Sequence, residues 1–141
     1  MIVANSRTSY ALTLGVLAVT GFVVLGLQPY SAPSPWRAYV KPARSYLGAA
    51  LRHDSAALQE LSAAAAPVAW ALAAARAAPE SVAVWAAQLR PAAGRRWGDT
   101  TDVVFETPTD VCQFRPLLLR FVPRDGTPHV LAASSRCFGP Q

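Results

Sequence analysis

Two cysteines, two histidines, one methionine and a single lysine among 13 basic residues are thinly spread over 141 positions. Each scarcity removes a kind of chemistry. A metal site needs clustered Cys, His or carboxylate ligands, yet His53 and His129 stand far apart, and the nearest approach to a cluster, Asp99 and Asp102, reads as turn and strand-edge residues. His53 beside Asp54 reads as a helix-end residue and His129 as a strand rim. The segment GRRWGDTT (94–101) lacks the lysine and spacing of a phosphate loop. No GxSxG elbow is present, and no Ser or Cys has a nearby base. The expectation is therefore a protein without catalytic residues, metal or cofactor, and not an enzyme.

Charge is also scarce, at 15% of residues against 52% apolar. The formal net charge is +5, spread along the chain and not gathered on one helix or stripe, which argues against a nucleic-acid partner. A mild positive balance suits a membrane surface or an acidic partner. The densest basic pair, Arg95-Arg96 before Trp97, reads as a solvated turn ahead of a strand. The excess of Arg over Lys, like the abundant Ala, is attributed to genomic base composition.

One long apolar run is present. From Thr8 to Tyr30 there is no charged residue, and 10–27 (YALTLGVLAVTGFVVLGL) would span about 27 Å as a helix, close to the hydrocarbon core of a bilayer. A cleaved signal peptide is the alternative, but the run exceeds the usual apolar region of about 7–15 residues, and no convincing small-x-small site follows it. The reading is an N-terminal transmembrane anchor (1–30), a Pro-rich juxtamembrane connector (31–42) expected to be extended, and a small domain (43–141). Tyr30, Trp36 and Tyr39, interleaved with Arg37 and Lys41, have the character of a membrane-interface belt or partner contact. Ala11, Gly15, Ala18 and Gly26 share one face of the span, as in small-residue helix packing.

Orientation is contested. Arg37, Lys41 and Arg44 after the span outnumber the cations before it, which favours a cytoplasmic domain. Cys112 and Cys137, flanking an expected hairpin, suit a disulfide in an oxidising compartment, and this argument is weighted towards a periplasmic domain of a bacterial inner-membrane protein. A turn centred on Asp125-Gly126 leaves the two cysteines two positions out of direct opposition, so the bond needs a bulge or a longer loop. Two free thiols are the alternative.

Beyond the connector the periodicity predicts helices over 43–53, 56–65, 68–78 and 81–89, with Asp54-Ser55 as an N-cap and Pro79 in a first turn. Pro91 and Gly94 end the helical half. Strands follow at 102–107, 117–122 and 129–138. The fold class is α+β, with helices packed on a small antiparallel sheet of about three strands. Helices followed by GRRWGDTTDVVFET (94–107), LLLRFV (117–122) and HVLAASSRCF (129–138) resemble the NTF2-like and cystatin-like superfamilies. That resemblance implies a cone of helices on a curved sheet, with room for a ligand.

Two functions of different classes follow. The first is a non-catalytic single-span accessory subunit, its partners being the lipid bilayer and other membrane-protein subunits. Energy-transducing assemblies, photosynthetic reaction-centre and light-harvesting complexes among them, are the first case to check. The second is a membrane-tethered periplasmic binding module whose NTF2-like pocket takes a small-molecule ligand. A filled cone favours the first; a pocket lined by Trp70, Trp85 or Phe105 favours the second.

Overall fold

In a computed structural model the chain is described over residues 34–106 and 116–135. A 3-10 turn, Pro35–Tyr39, runs directly into α1 (Val40–Leu51), followed by α2 (Ser55–Leu61), α3 (Ala65–Ala77), α4 (Pro79–Gln88), β1 (Arg90–Trp97), β2 (Thr100–Glu106), β3 (Leu117–Arg124) and β4 (Thr127–Ser135). The sheet is an antiparallel meander in the order β1-β2-β3-β4. The class is α+β, as the sequence implies. No helix among the described residues is long and apolar enough to cross a membrane; the run 10–27 lies outside them.

Two expectations are corrected. The described part of the connector, 34–42, is helical and not extended. Ser34 caps it, its Oγ accepting from the Trp36 N–H at 3.4 Å. Pro35 and Pro42 fall in the first turns of the 3-10 segment and of α1, where a missing N–H costs nothing and a preset φ helps. Prolines read as extenders of the chain therefore start helices. The second correction is the strand count, four and not three. Arg90–Trp97 (RPAAGRRW) is poor in β-branched and aromatic residues and shows no clean alternation. It forms a strand because it lies at the sheet edge, where β2 supplies its pairing. Pro91 sits beside the register shift between Pro91 and Ala93, a position an edge strand tolerates. Arg95, Arg96 and Trp97 are accordingly strand residues, not a turn.

The helix boundaries otherwise have local causes. Asp54 caps α2, its carboxylate accepting from the Ala57 N–H at 3.0 Å. At the end of α1, His53 N–H donates to the Ala50 carbonyl and Asp54 N–H to the Ala49 carbonyl, both at 3.0 Å. His53 has φ +52°. This is a Schellman ending with histidine where glycine is usual. The β3–β4 turn falls on Asp125 and Gly126, with φ +50° and +75°, as in a type I′ hairpin.

Alternation sorts the strands into two faces. Thr101, Val103, Phe105, Leu117, Leu119, Phe121 and Val130 face the helices and are buried. They meet Tyr46 and Leu47 of α1, Leu58 of α2, the alanines of α3, and Val82 and Trp85 of α4 in one core. Small side chains on α1 and α3 (Ala43, Ala49, Ala50, Ala71, Ala74, Ala75) are fully or nearly fully buried, so these helices can pack closely. The buried Tyr46 hydroxyl donates to the Pro67 carbonyl, tying α1 to the start of α3.

Candidate functional site

The side chains singled out from sequence separate into two sets once the fold is known. Trp36 is half-buried, and its indole lies over Gly94 of β1; a Cβ on Gly94 would come within 2.6 Å of Trp36 Cε2. Tyr39 donates from its hydroxyl to Thr101 Oγ1 at 3.1 Å and packs against Phe121, ring centroids 5.0 Å apart. Both aromatics therefore hold the 3-10 turn onto the sheet. Arg37 and Lys41 are exposed. With Arg44, Arg90, Ser34 and Leu89 they line a groove of about 540 Å³ between the start of α1 and the start of β1. Tyr30, the small-residue face (Ala11, Gly15, Ala18, Gly26) and both cysteines, Cys112 and Cys137, lie outside the described residues. Within β3 and β4 the pairing follows the turn as far as Phe121 opposite Val130, then shifts, leaving Leu117 opposite Ser135. That bulge moves the register away from direct opposition of the cysteines.

On the sheet face away from the helices, Asp102 and Arg120 stand opposite each other on β2 and β3. They bond in a fork, Nε to Oδ1 at 2.6 Å and Nη2 to Oδ2 at 3.0 Å. The hydrogen bond to Asp102 is the main reason the Arg120 pKa lies above its ordinary value. The Arg120 guanidinium also lies 4.8 Å from the centroid of the Trp97 ring, within cation–π range. Trp97 is half exposed and is the one large apolar residue so exposed among the described residues. Half-buried Val104, Leu118 and Val122 extend this face. The cluster was not read from sequence, because it depends on pairing β1 with β2. The Arg95-x-Trp97 spacing, which puts both on one face of a strand, was its only sequence signal.

No group of three or more His, Cys, Asp or Glu among the described residues could hold a metal. His53 shapes the end of α1 through its backbone, and His129 Nδ1 lies 2.9 Å from the Thr127 carbonyl oxygen. A small cleft of about 290 Å³ lies near the strand turns, between Tyr39, Arg96 and Asp99. A mostly apolar one of about 490 Å³ lies at the α2–α3 junction, between Ser62, Val68 and Leu72. Of the residues expected to line a cone-shaped pocket, Trp85 and Phe105 are 1% and 0% exposed, and Trp70 is half-buried and packs against the core. Comparison with protein families, with curated proteins and with solved structures finds no match to this chain.

Proposed function

We propose that this protein is a non-catalytic, single-span accessory subunit of a bacterial inner-membrane assembly. In this reading residues 10–27 are the span and the domain lies on the periplasmic side. One observation carries the choice over a binding module. The space between the helices and the sheet is filled by Trp85, Tyr46, Phe105 and Phe121, each 1% exposed or less, so no ligand chamber opens there among the described residues. A filled domain acts through its surface, and the sheet face around Trp97 and Arg120 has the residue types that dominate interface energies. The kind of assembly is proposed on architecture alone, with energy-transducing complexes, photosynthetic ones included, the first to examine.

The test is gentle detergent extraction of the full chain, followed by identification of what co-purifies. Trp97→Ala should weaken retention of partners by about 2 kcal/mol if Trp97 is a central contact, with circular dichroism unchanged. Gly15→Leu should weaken association within the bilayer. Wild type that brings no partner, or variants that retain every partner, would defeat the subunit reading. The apolar cleft at Ser62, Val68 and Leu72 would then favour a tethered binding module. Such a module would keep the NTF2-like likeness in helix and strand order but place its ligand outside the cone.

A further inference from the structure

Four cations share the groove between α1 and β1. Arg37, Lys41 and Arg44 follow one another at four and three residues, which sets them on one side of the helical segment. Arg90 approaches from the start of β1. Among the described residues no carboxylate lines the groove. The one ion pair among the described residues is Arg120–Asp102, and Glu106, opposite Arg90 in the ladder, makes none with it. Arg44 Nε donates to the Ala86 carbonyl at 3.0 Å. That bond holds the guanidinium at the groove and leaves its other donors with no bond among the described residues.

The placement works against the protein's own stability. Cations at a helix N-terminus oppose the helix dipole. The first turn of α1 has no acidic residue, and Tyr39 offers no side-chain cap. Like charges lining one groove within a Debye length also repel. An anion reverses each of these terms, and guanidinium donors match phosphate oxygens in geometry. The walls say which kind of anion. Val40, Leu89 and Pro91 share the lining with the cations, and about 540 Å³ is roomier than a bare inorganic ion needs. A phosphodiester bearing a glycerol and acyl chains fits both features.

We infer that this groove holds the phosphate of an anionic phospholipid headgroup. The inference rests on the proposed reading of 10–27 as a span. Ser34 follows Leu27 by only seven residues, a reach of about 25 Å at full extension, so a bilayer that holds the span also supplies the ligand.

The test titrates short-chain phosphatidylglycerol, then phosphatidylcholine, into the full chain in nonionic detergent. The wild type should bind phosphatidylglycerol at least about tenfold more tightly, in keeping with the attraction of several surface cations to anionic lipid, and the preference should shrink as salt rises. A triple variant, R37Q/K41Q/R90Q, should lose the preference; Arg44 is left in place because it also bonds Ala86. A charge-matched control, R76Q/R95Q/R124Q, should keep it within about twofold. If the triple variant misfolds by circular dichroism, Arg90→Gln alone is measured and should cost about threefold. Equal binding of the two lipids by wild type, undiminished binding by the groove variant, or equal loss in the control overturns the inference. Competition by inorganic phosphate at the same concentration also overturns it, since the site would then take a small anion. Lipid binding by the purified chain needs no partner. Absent partners with a preserved lipid preference defeat only the subunit reading, and retained partners without the preference defeat only this one.

Discussion

Gly94 faces the helical layer opposite Val103, and the Trp36 indole occupies the place where its side chain would point. A methyl group there must displace a ring wedged between the 3-10 turn and the sheet. Gly94→Ala should therefore destabilise the domain by about 1–3 kcal/mol, as overpacking does, seen as a lower denaturation midpoint. Tyr46 makes a different residue-scale argument. Its ring is fully buried and burial pushes its pKa well above the ordinary value. A folded-state pKa raised above the unfolded one contributes stability that is complete below the unfolded pKa, about 10, and is lost as pH rises beyond it. The wild-type domain should thus lose stability progressively in alkali, followed by circular dichroism together with tyrosinate absorbance. Tyr46→Phe should cost about 1 kcal/mol at neutral pH through the lost bond to Pro67, but flatten the alkaline slope.

At the scale of elements, the end of α1 contains local strain that can be measured. His53 adopts a left-handed conformation, φ +52°, which costs a side-chain-bearing residue about 1–2 kcal/mol. Glycine removes that cost but adds unfolded-state entropy. His53→Gly should give a net stabilisation of about 0.5–1 kcal/mol, a rise of several degrees in thermal midpoint for a domain of this size. A lower midpoint would mean that the imidazole makes a contact that outweighs the backbone strain. The β3–β4 turn shows the same geometry resolved differently, with Gly126 at φ +75° following Asp125. Edge strand β1 depends on its neighbour. With Pro, Gly and three Arg in eight residues, it has little intrinsic preference for extended structure, and β2 together with Trp36 holds it in place.

For the whole molecule, the proposal makes the apolar N-terminal run part of the mature protein. Intact mass of membrane-extracted protein should equal that of the full chain. Loss of about 30 N-terminal residues would identify a cleaved signal peptide and with it remove the bilayer as a source of lipid for the cationic groove. The structure also redirects the choice of interface variants. Trp36 and Tyr39 are committed to packing within the domain, so replacing them should unfold it before releasing a partner. Trp97 and the groove cations Arg37, Lys41 and Arg90 can be altered with much less effect on the core.

How much of this was legible in the sequence differs from residue to residue. The N-cap at Asp54, the first-turn Pro79, the Asp125-Gly126 turn, and the inward Val82, Trp85, Val103 and Phe105 depend on local rules: capping chemistry, proline's fixed φ, glycine's freedom and the period of apolar side chains. Each rule acts within a few neighbours, so the sequence alone determined these features. The scarcity of Cys, His and Lys is likewise a matter of composition. The fourth strand and the packing of Trp36 and Tyr39 were decided by tertiary structure. Hydrogen bonds from β2 outweigh the weak strand preference of Arg90–Trp97, and the cleft over Gly94 becomes a seat for an indole only once that strand is paired. The gathering of Arg37, Lys41 and Arg44 with Arg90 likewise joins residues that only the folded chain makes neighbours, because electrostatics acts through space and not along the sequence.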